Sequence, residues 1–383
     1  MTRILISAGD PSGDLYGSML IRALKRERPT LAIEAIGGPL MKKALGAQST
    51  LHADMASLGI TGFIEPIRRL PLILRLLRKM SGLFSRGRFD ALITIDFYGF
   101  NRRLLPAAHK AGVPAYYFIS PQVWASRAGR VAKIKNWVSR MLVIFPFEEK
   151  LYQDAGVPVT WVGHPLLDIL PTPAPQKTMP ARLKVGLLPG SRPSEIKRHL
   201  PVFLGAASRM LEKFPKGEIA VFAAKNLGDD AYAKVGAWRG PAGQRARIVR
   251  DEEYRERANQ DFILTSSGTA TLENALLGLP MVVVYKLSWP TYWIARTIIR
   301  VPYIAMANIL AGKELVPELI QGDATADNVA DTALTMLGKP AVLNRLRRDL
   351  SALREKLGGP GAIERAARCI LSDLSAAKEP ATA

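Results

Sequence analysis

The chain has 383 residues, 48% of them hydrophobic, which is enough for two domains of ordinary size, each with its own core. A single cysteine, Cys369, and four histidines (His52, His109, His164 and His199), no two at metal-ligand spacing, exclude an internal disulfide and a cysteine-built metal site and fit a reducing compartment. The formal net charge of +20 implies an anionic partner: nucleic acid, anionic lipid or a phosphorylated substrate.

The opening MTRILISAGD reads as a first strand and not as a signal peptide. No apolar run reaches the roughly 18–20 residues that span a bilayer. Ile4–Ser7 is a predicted strand, Gly17–Lys25 a helix and Ala32–Ile36 a second strand. Ala91–Ile95, Ala115–Ile119 and Met141–Ile144 are further strands. This alternation predicts a parallel sheet with helices on both faces. The proline-rich stretch Pro171–Pro175 reads as a linker, after which the rhythm restarts. Lys184–Leu188, Ile219–Ala223, Phe262–Thr265 and Met281–Tyr285 are the strands of the second half, and Asp327–Leu337 and Ala362–Leu374 are late helices. The fold class is therefore α/β, with two domains in tandem flanking a cleft and ligands at the carboxyl ends of the strands.

Four segments carry candidate chemistry. The first strand ends in Ser7-Ala-Gly9-Asp10-Pro-Ser12-Gly13-Asp14, where glycines admit close approach and a helix start attracts anions. The spacing is not that of a dinucleotide fingerprint, and spacing alone favours a turn with Asp and Ser as helix caps. Leu188-Pro-Gly190-Ser191-Arg192 is a strand running into a helix, where amides, a hydroxyl and a guanidinium suit a phosphate. Ser267-Gly268-Thr269 repeats that logic, with Glu273 one turn on as an acceptor for ribose hydroxyls. Two such loops in one domain point to a nucleoside diphosphate; no P-loop pattern is present. Each loop also reads as an ordinary capped strand–helix turn. Asp10, Asp14 and Asp96 are the carboxylates placed to act as a base.

The segment Phe63–Phe89 is the membrane candidate. A helix from Pro71 puts Arg75, Lys79 and Arg86 on one face and Leu70, Ile73, Leu77, Met80 and Phe84 on the other. Leu72, Leu76 and Leu83 sit near the polar edge. Basic residues opposite a wide apolar arc describe an interfacial helix, the alternative being a helix packed on its own domain. Lys286–Arg300 is a second basic and aromatic stretch, undecided between membrane interface and core.

Together these residues resemble one family. Ala8-Gly9-Asp10-Pro-Ser12-Gly13-Asp14 is similar to its AGE-x-SGD motif. Ile36-Gly-Gly38 with Met41 and Gly46, Leu58-Gly59 to Glu65, and Ile119-Ser120-Pro121-Gln-Val123-Trp124-Ala125 follow in order. So do Pro146-Phe147-Glu148, Val162-Gly163-His164-Pro165-Leu166, Leu188–Arg192, Ser267–Glu273, Pro280–Tyr285, and Asn308–Gly312 to Gln321. The collinear set covers nearly the whole chain, which is identified as a member of the lipid-A-disaccharide synthase family.

The resemblance implies a GT-B architecture, two Rossmann-like domains with parallel sheets facing a central cleft. Residues 1–170 would form the acceptor- and membrane-facing domain, 171–182 a linker and 183–345 the UDP-sugar domain. Residues 346–383 would be helices crossing back. It implies an inverting transfer from UDP-2,3-diacylglucosamine to 2,3-diacylglucosamine 1-phosphate, without a cofactor or metal, at the inner face of a bacterial inner membrane. Gly190, Ser191, Arg192, Ser267, Gly268, Thr269, Glu273, Asn308, Glu318 and Gln321 would hold UDP. Ser12, Gly13, Arg75, Arg78 and Lys79 would meet acceptor and anionic lipid, with Asp96, Asp14 or Asp10 as base. No nucleic-acid partner is implied, and a homodimer is compatible. Two departures stand out. Asp10 replaces the motif's glutamate, and Ile95-Asp96-Phe97-Tyr98-Gly99-Phe100-Asn101 replaces I-D-x-P-D-F-N, so Gly99 stands where the family commonly has a second aspartate. A related transferase or UDP-sugar epimerase with another acceptor, and a non-catalytic basic membrane-binding protein, are the competing readings.

Overall fold

The computed structural model describes residues 1–47, 49–56, 70–121, 129–173, 182–225, 227–251, 253–289, 292–293 and 302–376. The chain divides into two compact units. One comprises residues 1–168 and 357–383, the other residues 169–356.

In the first unit, β1 (Arg3–Ser7), α1 (Pro11–Glu27), β2 (Ala32–Gly37), α2 (Pro39–Leu45), β3 (Leu51–Asp54), α3 (Leu70–Ser85), β4 (Ala91–Ile95) and α4 (Tyr98–Lys110) follow in order. β5 (Ala115–Phe118), α5 (Gly129–Lys135), β6 (Arg140–Val143), α6 (Pro146–Asp154) and β7 (Val159–Trp161) complete the sheet. All its pairings are parallel, in the order β3-β2-β1-β4-β5-β6-β7. Strand order reverses between β1 and β4, so the loops after these two strands flank the crevice where such sheets take ligands.

Helix α1 starts at Pro11, six residues before the expected Gly17. Asp10 caps it, accepting from the Gly13 amide at 2.7 Å, and Pro11 fills a first-turn position that needs no N–H. Gly17 lies inside the helix because Met41 packs there: a Cβ would come within 2.6 Å of its Sδ.

The α3 helix keeps most of the expected apolar face, with Leu76 added to it and Leu70 left outside. Ile73, Leu76, Met80 and Phe84 are buried in the unit's own core with Met55, Phe89 and Leu104, so most of the apolar arc covers the sheet. Leu76, expected at the polar edge, is in the core, whereas Leu70, Leu72 and Leu74 remain 40–41% exposed beside exposed Arg75, Arg78 and Lys79. No helix among the described residues is long and apolar enough to cross a membrane.

The second unit runs β8 (Lys184–Leu188), α7 (Pro193–Lys213), β9 (Glu218–Phe222), α8 (Ala233–Ala237), β10 (Ala246–Val249), α9 (Arg255–Ala258), β11 (Phe262–Ser266), α10 (Thr269–Leu276) and β12 (Met281–Tyr285). α11 (Met306–Ala311), β13 (Glu318–Ile320), α12 (Ala326–Leu337), α13 (Pro340–Ser351) and α14 (Leu353–Lys356) follow. Its six parallel strands have the order β10-β9-β8-β11-β12-β13, again reversing between the first and fourth strands. The last helix, α15 (Ala362–Ala376), belongs to the first unit. Asp168 accepts from the amides of Ala362 and Ile363 at its start, and the Arg365 guanidinium donates to the Val162 carbonyl at 2.7 Å. The residues 174–175 of the expected linker, 58–65, 122–125, and 290–291 and 294–300 of the second basic–aromatic stretch lie outside the described residues.

Candidate active site

In the first unit the loop after β1 and the loop after β4 meet because their strands are hydrogen-bonded neighbours. Asp96 and Phe97 both adopt positive φ, 41° and 44°. Two consecutive non-glycine residues in that region store backbone strain, which persists only where the surroundings over-determine it. Here they do. The Asp96 carbonyl accepts from Asn101 Nδ2 at 2.8 Å and from the Tyr117 hydroxyl at 2.7 Å, and buried Asn101 Oδ1 accepts from Ser7 Oγ at 2.8 Å. Gly9 completes the fit, since a Cβ there would lie 2.2 Å from the Phe97 ring.

The electrostatics separate the three aspartates. Burial first, then the Asp10 charge, push the Asp96 carboxyl up to about 7; the Phe97 amide opposes this and Glu148 adds to it. Burial also raises Asp10, against the Gly13 hydrogen bond. Asp14 is different. It is buried and accepts from the amides of Gly38, Leu40 and Met41 at 2.8–2.9 Å. Its carboxylate caps α2, and these three bonds hold the start of that helix. Gly13 spends its amide on Asp10, while Ser12 is exposed at the helix start. Glu148, also buried, accepts from Ser120 Oγ and from the Phe145 amide. His164 is neutral, pushed down to about 3 by burial.

In the second unit the expected phosphate loops follow β8 and β11, again neighbours at the strand reversal. Gly190 has φ 124° and Gly268 φ 150°, conformations that suit glycine alone. The first loop is drawn onto Glu195. The Ser191 amide donates to its Oε2 at 3.0 Å, and Arg192 Nη1 donates to its Oε1 at 2.6 Å. Glu195 thus holds the loop through both the Ser191 amide and Arg192. That carboxylate pins one end of a half-exposed Arg192. His199 ties the same loop to the end of β12: its Nδ1–H donates to the Pro189 carbonyl at 2.9 Å and its Nε2 accepts from the Lys286 amide at 2.9 Å. The second loop is open. Gly268 and Thr269 are exposed at the start of α10, and a Cβ on Gly268 would meet nothing within 4 Å. Ser267 Oγ donates to the Ile304 carbonyl at 2.9 Å. Glu273 accepts from the Tyr254 hydroxyl at 3.1 Å and from Arg257.

The late motif is knit together by its own hydrogen bonds. Buried Asn308 accepts from the amides of Leu315 and Val316 and donates to Glu318 and to the Val316 carbonyl. Glu318 also accepts from the amides of Ile304 and Ala305, and Gln321 Oε1 accepts from the Leu287 amide at 2.6 Å. Asn308 and Glu318 thus hold the backbone at Ile304, whose carbonyl takes the Ser267 hydroxyl, and Gln321 holds the backbone at Leu287. Residues to which the sequence assigns no role in the site are Asn101, Tyr117, Glu148, Glu195, His199, Tyr254 and Arg257. Glu148 and Glu195 had a signal, a carboxylate three residues after a helix cap. Tyr254 and Arg257 sit in a charged run that looks like solvated loop.

A family model for lipid-A-disaccharide synthetase matches residues 4–370. The chain belongs to that family. The lipid-A-disaccharide synthase of Geobacter sulfurreducens is 40% identical over 379 residues, covering 97% of each chain. As a member of the lipid-A-disaccharide synthetase family the chain is a glycosyltransferase of lipid A biosynthesis. Among solved structures, the S. aureus MnaA–UDP complex has a TM-score of 0.65 at 12% identity, covering 99% of both chains. Acinetobacter baumannii MurG gives 0.59 at 13%, covering 97% of this chain and all of that one. At such identities the likeness is one of fold, the GT-B pair of parallel sheets. Gly99 is exposed, and a Cβ there would meet nothing within 4 Å.

Proposed function

We propose that this chain transfers 2,3-diacylglucosamine from its UDP donor to the 6-hydroxyl of 2,3-diacylglucosamine 1-phosphate, yielding the β-1,6-linked disaccharide 1-phosphate and UDP. The observation that carries the reading is Asp96, a carboxyl raised to about 7 on a strained turn at the first unit's strand reversal. A base poised near neutrality suits removal of the acceptor hydroxyl proton. The acceptor oxygen bonds to the sugar's anomeric carbon, the bond from that carbon to the diphosphate breaks on the opposite face, and the proton passes to Asp96. The second unit's loops would receive the donor. The start of α10 at Gly268 and Thr269, with Arg192, offers positive potential to the departing UDP, and Glu273 offers acceptors to ribose. The exposed leucines and basic residues of α3 support docking on the anionic cytoplasmic face of the inner membrane, where both acylated substrates reside.

The test is incubation of purified protein in detergent with both acylated substrates, read by mass spectrometry. UDP release that requires both substrates, with the disaccharide formed, is the expected result. A folded, UDP-binding protein that makes no disaccharide above an enzyme-free control overturns the acceptor assignment.

A further inference from the structure

Glu273 does not stand alone. Its side chain is 15% exposed and that of Arg257 13%. Oε1 accepts from the Tyr254 hydroxyl and Oε2 from Arg257 Nη1. The Arg257 guanidinium is itself stacked, 5.0 Å from the Tyr254 ring centroid and 5.6 Å from that of Phe222. Its amide donates to Asp251 Oδ2 at 2.7 Å, fixing the turn in which Tyr254 adopts φ 60°. Phe222 ends β9, Tyr254 follows β10 and Glu273 lies in α10, so three carboxyl-edge segments converge on one carboxylate. Strain at a non-glycine residue, a stacked cation and a two-point hold are more than capping α10 requires, since Glu273 lies beyond its first turn.

We propose that Tyr254 and Arg257 are positioning residues. They hold the Glu273 carboxylate so that it accepts from both ribose hydroxyls of the donor, and so set a preference for ribonucleotides over deoxyribonucleotides. The inference rests on the donor-site reading above. A carboxylate has about four acceptor sites. Two are taken by the protein, and a vicinal diol supplies two donors for the rest. The fixed geometry spares the ordering cost at binding.

The experiment is calorimetric titration of UDP and 2′-deoxy-UDP into wild type, Tyr254→Phe, Arg257→Gln and Arg257→Lys, with circular dichroism confirming the fold. Wild type is expected to favour UDP by about tenfold or more, as for a hydrogen bond to a charged acceptor. Tyr254→Phe and Arg257→Gln are expected to weaken UDP about 5- to 30-fold and to bring the ratio toward one. Arg257→Lys is expected to recover part of it. Folded variants that keep the wild-type ratio overturn the inference. Wild type that binds both nucleotides equally overturns it while leaving the donor site standing. Wild type that binds no UDP overturns the donor-site reading and this inference with it. Tyr254→Phe removes a single hydroxyl and keeps the test valid if an Arg257 variant fails to fold.

Discussion

Replacing Asp96 by asparagine removes a charge and keeps the shape, and the backbone hold by Asn101 and Tyr117 acts on the carbonyl, which the substitution leaves in place. The carboxyl stands at about 7 in the folded protein against an ordinary 3.8. That is a rise of about 3 pK units, worth about 4 kcal/mol against the ionised form at most, since the residue keeps some exposure. Between these values the folded chain binds a proton that the unfolded chain has released. The stability from protonated Asp96 is therefore present at low pH and lost as pH rises through about 7. Near pH 4 the two proteins should unfold alike. Above pH 7 Asp96→Asn should be the more stable, by about 1–4 kcal/mol. Activity should move the other way. Wild-type kcat/KM should rise about tenfold per pH unit toward a plateau above about 7, and the asparagine variant should lose about 100- to 10,000-fold. Denaturant titrations at several pH values and an initial-rate pH profile measure both. Turnover of the variant within a few-fold of wild type, or a stability difference that does not change with pH, would refute the assignment of Asp96 as the base.

Gly99→Asp should be accepted, since a Cβ meets open space in the first turn of α4. A carboxylate there adds about 0.3–1 kcal/mol through the helix dipole. The melting temperature should rise and disaccharide formation increase severalfold; a lower melting temperature contradicts the open site, and an unchanged rate shows that Asp96 serves alone. Asp14→Asn should cost about 2–4 kcal/mol, because an amide cannot satisfy the three backbone N–H groups that Asp14 now accepts. The folded fraction should keep the wild-type pH profile, and a profile displaced by a unit or more would return Asp14 to the chemistry. Reversal of Arg75, Arg78 and Lys79 to glutamate should abolish flotation with anionic vesicles, at about 1 kcal/mol per residue, with UDP affinity unchanged; flotation that survives places membrane contact elsewhere.

The β1, β4, β8 and β12 strands were legible because central parallel strands, buried on both faces, read as short continuous apolar runs. β4, β8 and β12 were placed to the residue. The edge strands β3, β7, β10 and β13 were not seen. They have three or four residues each and bury little, so they carry almost no pattern. The α3 helix is legible as amphipathic, but an ideal wheel does not tell which part of the apolar arc its own sheet covers. The sheet beneath took Leu76 and left Leu70 and Leu72 outside.

The sequence by itself determined that two βαβ halves follow one another, which loops end strands and open helices, and that the chain carries its motifs in the order of a known family. Those are properties of local spacing, and local spacing is written in the chain. Only the tertiary structure decided what each polar group does. Asp10, Asp14 and Asp96 are equivalent as letters. Asp14 became a cap because α2, more than 20 residues on, offers it three amides, and Asp96 became an acid titrating near neutrality because β4 pairs with β1 and buries it beside Asp10. Asn308, Glu318 and Gln321 likewise became the frame of a loop. Desolvation, hydrogen-bond satisfaction and the field of neighbouring charges depend on groups distant in sequence, and these set whether a carboxylate is structural or reactive.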